Sequence, residues 1–111
     1  MTAESTSDPI VVIARAVPLP GKGEEVLGYL RDLIPVVHEE PGCLLYSINL
    51  AGNGDIVFIE KWASQADSDV HAASSAILPT LIEHVSPLLT GMPEVTVHQP
   101  IPLGTSGKGA L

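Results

Sequence analysis

The chain has 111 residues, enough for one domain around one core, and thirteen acidic against five basic residues give a formal charge of −8. Aromatic residues make up only 4%, and the basic ones (Arg15, Lys22, Arg31, Lys61, Lys108) are scattered, a pattern that excludes nucleic acid and anionic membranes as partners. No apolar run nears the roughly 20 residues of a membrane span, residues 1–8 do not resemble a signal peptide, and the single cysteine, Cys43, points to a cytoplasmic chain without an internal disulfide.

Residues 1–9 are small and polar and read as a flexible terminus. Residues 10–17 are rich in β-branched side chains and read as a strand, ended by Pro18 and Pro20. Arg15, its one charged residue, belongs at a strand end or rim. The turn Pro20-Gly21-Lys22-Gly23 leads into a helix from about Glu24. There Val26, Leu27, Leu30, Leu33, Ile34 and Val37 form one apolar stripe. Glu24 and Glu25 suit the positive end of its dipole. Pro35 lacks an N–H and crowds the carbonyl of Arg31, which predicts a kink. His38 suits the negative helix end or the mouth of a pocket, and Glu39-Glu40-Pro41-Gly42 stops the helix.

Residues 42–62 read as a β-hairpin: two apolar runs around Ala51-Gly52-Asn53-Gly54-Asp55, where Asn53-Gly54 supplies positive φ. Alternation puts Cys43, Leu45, Ser47 and Asn49 on one face of the first arm, and Ile56, Phe58, Glu60 and Trp62 on one face of the second. Aligning the two sets predicts a polar constellation of Ser47, Asn49, Glu60 and Trp62. It leaves Leu44, Tyr46, Ile48 and Leu50 with Val57, Ile59 and Lys61 on the opposite, apolar face. Glu60 and Lys61 point to opposite faces and make no ion pair. Glu60 is either a buried carboxylate with a partner, able to act as a base, or a solvated one at a strand end.

Residues 63–73 are helical, with Ser64 as N-cap and Asp67 three residues on. His71 can point back toward the sheet. Residues 76–89 carry a further apolar helical pattern (Ile77, Leu78, Leu81, Ile82, Val85, Leu88, Leu89) with Pro79 near its start and His84 on its polar side. Residues 94–99 alternate as a last strand. Residues 100–111 are a Gly- and Pro-rich tail, flexible or laid on a partner.

The order βαββαβ is α+β, the ferredoxin-like split βαβ, with four antiparallel strands and helices on one face. The other face is apolar too, which predicts a homodimer of sheets packed face to face. The four histidines show neither HxH nor HxxxH, so no metal site is expected. No phosphate loop is present, and Cys43 reads as a small buried thiol.

The run Glu40-Pro41-Gly42-Cys43-Leu44-Leu45-Tyr46, then Phe58-Ile59-Glu60-Lys61-Trp62, then His71 nine residues after the tryptophan, resembles the antibiotic biosynthesis monooxygenase (ABM) superfamily of dimeric α+β barrels. Pro-Gly-Lys-Gly before an acidic helix fits, as does Pro87-Leu88-Leu89-Thr90-Gly91-Met92-Pro93 before the last strand. The likeness covers residues 10–99, the ferredoxin-like domain. It implies a cofactor-independent monooxygenase that oxidises a phenolic or quinol-type aromatic molecule with O₂, without a cofactor. The catalytic group would be His71 as base, Asn49 and Trp62 as donors, and Glu60 to orient one of them. Phe58, Leu45 and Tyr46 would be substrate-binding walls, with His38 at the mouth. Phe58 stands where an oxygenase of aromatic polyketides in that group has asparagine, and it cannot hydrogen-bond a substrate oxygen. Haem degradation fits poorly, because an acidic pocket repels propionates. The alternatives are a non-catalytic small-molecule-binding or stress-related dimer, and a cofactor-free isomerase on the same fold. Taken singly, Trp62 reads equally as a core plug, His71 as a surface histidine and Asn49 as a turn residue; together the three matches point to a ligand pocket.

Overall fold

The computed structural model describes residues 8–111; most of the segment read as a flexible N-terminus, residues 1–7, lies outside it. Strand β1 (Ile10–Ala16) is followed by helix α1 (Gly23–His38), strands β2 (Cys43–Leu50) and β3 (Ile56–Trp62), helix α2 (Gln65–Ser74) and, after irregular helical turns, strand β4 (Glu94–His98). The strands form one antiparallel sheet in the order β2-β3-β1-β4, so the fold is the expected ferredoxin-like α+β one.

Helix α1 starts with Glu24 and Glu25 in its first turn, where the dipole favours them, and buries Val26, Leu30 and Val37. It runs through Pro35 and ends where the Glu39 N–H bonds back to the Val36 carbonyl at 3.2 Å and the Glu40 N–H to the Val37 carbonyl at 2.9 Å. The turn into β2 needs Gly42. Its φ is +79°, and a Cβ there would collide with the Asp67 carboxylate on α2. The start of α2 is set by Ser64, whose Oγ accepts the Asp67 N–H at 3.1 Å, as the sequence predicts.

The hairpin register differs from the expected one. Leu50 pairs with Ile56 across the loop 51–55, which Ala51 N–H closes onto the Asp55 carbonyl at 2.8 Å. An odd-numbered loop pairs even positions with even ones, so Ile48 faces Phe58 and Tyr46 faces Glu60. A one-residue slip exchanges the two faces of a strand. Tyr46 and Ile48 therefore join Phe58, Glu60 and Trp62 under the helices, and Leu45, Ser47 and Asn49 turn to the uncovered face with Val57, Ile59 and Lys61. The predicted constellation of Ser47, Asn49, Glu60 and Trp62 does not form. A bulge between Cys43 and Leu45 takes up Leu44, so that Cys43 still pairs with Trp62.

The second difference lies in residues 76–89, expected as one helix. They form a short α turn (Leu78–Thr80), a π turn (Leu81–Val85) and a 3₁₀ turn (Ser86–Leu88). Pro79 and Pro87 remove two amide donors, and the Pro87 ring crowds the carbonyl of Glu83, four residues back. The backbone answers by widening: the Ser86 N–H reaches the Leu81 carbonyl, five residues back.

Two buried clusters share the helix side of the sheet. Val12, Val37, Tyr46, Trp62 and Ile77 make one, and Ala16, Val26, Leu30, Ile56 and Val85 the other; Ile34, Ile48, Phe58 and Leu81 touch both. No helix covers the opposite face among the described residues. The last residue reaches it, with Lys61 Nζ donating to the Leu111 carbonyl. Arg15 sits at the rim and pairs with Asp55 at 3.5 Å.

Candidate functional site

The polar groups on the helix side collect around the end of β3. Glu60 and Trp62, two residues apart on one strand, share a face, and the buried indole Nε1–H donates to Glu60 Oε1 at 2.9 Å. Helix α2 then returns over the sheet and brings the His71 ring to 4.7 Å from that of Trp62 and 5.4 Å from that of Tyr46. Tyr46 meets Phe58 and Trp62 edge-on at 6.2 and 6.4 Å. Four predicted site residues, His71, Trp62, Glu60 and Tyr46, therefore meet in one cluster, with Phe58 at its edge.

The remaining three do not. Asn49 lies exposed on the other face, where its side-chain amide donates to the Ser47 hydroxyl at 3.2 Å. Leu45 is 37% exposed on that same face, turned away by the register. His38 holds the Tyr46 carbonyl through Nε2 at 3.0 Å. With Leu45 and Tyr46 it lines an open groove of 470 Å³ along the free edge of β2, not the surroundings of His71.

Two partners escaped the sequence reading. Glu40, read as part of the helix stop and of the family run but given no role at the site, places Oε1 2.7 Å from His71 Nδ1, with the two side chains 17% and 12% exposed. Ser75, which caps α2 by bonding its N–H to the His71 carbonyl, donates its Oγ to Glu40 Oε2. His71 and Ser75 are four residues apart and share a helix face, a legible signal. Glu40 reaches them only because Gly42 lets the turn lie against α2.

The electrostatics follow from burial. Desolvation raises the Glu60 pKa, against the opposing pull of the Trp62 N–H, His71 and Tyr46; Glu40 adds to the rise. Burial, followed by the charges of Glu60 and Glu40, holds the Tyr46 phenol neutral far into the alkaline range. Burial and the same two acids raise the Cys43 thiol, which disfavours the nucleophilic thiolate. Because Glu60 binds its proton more tightly folded than unfolded, it favours folding below the ordinary carboxylate value of 4.5. That contribution is lost as pH climbs through the raised folded value, at up to about 1.4 kcal/mol per pH unit for one proton. Glu60→Gln keeps an acceptor for the indole and removes the titration. Urea unfolding at pH 4.5 and pH 8 should show the variant gaining on wild type at the higher pH; equal differences at both would refute the assignment.

No hollow separates Trp62 from His71. The adjacent cavity, 190 Å³, lies between the end of α1 with the turn after it and the length of α2, lined by Val36, Glu40, Asp67, Val70, His71 and Ser75. A wider groove of 640 Å³ between β4, the start of β1 and α2 touches none of the cluster. Among the described residues, no group of three or more His, Cys, Asp and Glu side chains is placed to hold a metal ion, and no helix is long and apolar enough to cross a membrane. The cluster offers an imidazole held by a carboxylate, opening onto a small cavity and backed by an indole. Such an arrangement can accept a proton from a bound acid.

Residues 9–80 match the family described as antibiotic biosynthesis monooxygenase. The chain is 31% identical over 96 residues to the protein named "Putative monooxygenase Rv0793" from Mycobacterium tuberculosis, covering 86% of this chain and 94% of that one. The solved structure of Rv0793 superposes with a TM-score of 0.75 at 30% identity, covering 90% of this chain and all of the other (100%). Protein SO0527 from Shewanella oneidensis gives 0.71 at 30% identity, with 83% and 90% covered.

Proposed function

The chain belongs to the antibiotic biosynthesis monooxygenase family, and from that premise we propose that it oxidises a phenolic or quinol-type small molecule with O₂, without a cofactor. The observation that carries this reading is the His71 imidazole, held by Glu40 at 2.7 Å and facing a cavity. His71 removes the phenolic proton, and the anion passes one electron to O₂. The substrate radical and superoxide then join through a new C–O bond. His71 returns its proton to the outer peroxide oxygen. The hydrogen on the peroxide-bearing carbon then leaves as a proton while the O–O bond breaks. Hydroxide and that proton depart as water, and one oxygen atom stays on the product as a quinone carbonyl. Trp62 backs the imidazole and Glu60 fixes the indole.

The sheet face that carries Leu45, Ile13, Val57, Ile59 and Asn49 packs, in this reading, against the same face of a second copy. At about 25 cal/mol per Å² of apolar surface, a few hundred Å² per subunit outweighs any surface ion pair. Light scattering at micromolar concentration should give twice the chain mass, and a monomer would refute the dimer.

The test of the activity is oxygen uptake with a panel of hydroquinones and anthrones, with quinone formation followed by absorbance. The second reading, a non-catalytic small-molecule-binding dimer, is favoured by one fact: Trp62 is wholly buried and does not line the cavity. Under that reading a panel compound shifts the melting temperature while O₂ stays constant.

A further inference from the structure

We propose that Glu40 is a positioning residue, which fixes the tautomer and ring angle of His71 so that Nε2 is the nitrogen offered to a substrate proton. The inference rests on His71 being the base of the proposed reaction, and it adds a residue outside the predicted set.

A carboxylate only accepts hydrogen bonds, so the 2.7 Å contact between Glu40 Oε1 and His71 Nδ1 requires the proton on Nδ1. The nitrogen left to take a proton is then Nε2. Glu40 is itself held at both ends. Its Oε2 accepts from Ser75 Oγ. Its N–H bonds to the Val37 carbonyl at 2.9 Å, and its carbonyl accepts from the Cys43 N–H at 3.2 Å. A carboxylate with a pinned backbone and both oxygens engaged cannot follow a rotating imidazole; it sets the ring's orientation, and Trp62 limits the ring's tilt at 4.7 Å.

The other acids near the cluster are committed elsewhere. Glu60 takes the indole N–H, and the Asp67 carboxylate takes the Ser64 hydroxyl at 3.1 Å. Glu40 is therefore the acid that His71 pairs with among the described residues. When Nε2 takes a proton, the imidazolium forms beside a negative charge already in place, with no reorganisation of solvent.

The experiment uses the full chain labelled with ¹⁵N-histidine, at about pH 8.5, above the ordinary imidazole range. Wild-type His71 should show a protonated Nδ1 and an unprotonated Nε2, and Glu40→Ala should shift it toward the Nε2–H form. Glu40→Gln retains an acceptor oxygen but loses the charge. With hydroquinone as probe, it should lower kcat by about tenfold to a hundredfold with little change in KM. Wild-type His71 with its proton on Nε2 would overturn the proposal, and so would a folded Glu40→Ala protein with an unchanged His71 spectrum. Should Glu40→Ala fail to fold, the wild-type spectrum and the Gln variant decide. A spectrum that behaves as expected in a protein that consumes no O₂ with any panel compound upholds Glu40's role and refutes the oxygenase reading instead.

Discussion

Replacing Trp62 with alanine is expected to remove about 3–5 kcal/mol of stability, read as a lowered midpoint in urea unfolding. The indole is the largest fully buried side chain, 0% exposed, and touches Tyr46 and His71. Its loss opens a cavity beneath α2 and strips Glu60 of its N–H donor. A domain of ordinary stability has about 5–15 kcal/mol to lose, so the variant stands at the edge of unfolding. Trp62→Phe separates the two effects. It keeps most of the volume and removes only the donor, which should cost about 1–3 kcal/mol for a buried acceptor left unpaired. Adding Glu60→Gln to Trp62→Phe should recover part of that loss, because a neutral amide is cheaper to bury without a partner than a carboxylate. A Trp62→Ala protein within 1 kcal/mol of wild type, a bound set by the roughly 1 kcal/mol centre of measured substitutions, would show that the indole is not structural.

His71→Ala should lower turnover of an active panel compound by about a hundredfold to ten-thousandfold, the range for losing a general base. The oxygen electrode reads this directly, and a circular dichroism melt reports whether the fold survives. The side chain is 12% exposed and lines a cavity, so its removal leaves less of a void than loss of the indole. His71→Gln fills the same space with a group that does not titrate, and should be equally impaired if proton transfer is the role. Full activity in both variants would place the base elsewhere.

Much of the architecture was legible because single residues settled it. Ser64 and Asp67 marked the start of α2, and the alternation of residues 94–99 marked β4 to within one residue. The hairpin was visible, but its register was not. Alternation shows which residues share a face within one strand; the number of residues in the loop decides how two strands align. Leu50 pairing with Ile56 reversed Leu45, Ser47 and Asn49, while the extra residue at Leu44 kept Cys43 on the side of Trp62. The apolar spacing of residues 76–89 was real, yet two prolines broke it into turns of different pitch. Glu40 was hidden for another reason: its contact with His71 spans 31 residues and depends on the approach of a glycine turn to α2.

Strand β2 is the outer member of the sheet on its side, with Leu44 and Leu50 56% and 63% exposed. Such a strand invites a foreign chain to extend the sheet, the first step toward aggregation. The irregularity at Leu44 bends its beginning, and the His38 ring already holds the Tyr46 carbonyl near its middle. An incoming backbone finds a crooked template with one acceptor taken, so neighbouring molecules are steered away from filament growth along that flank.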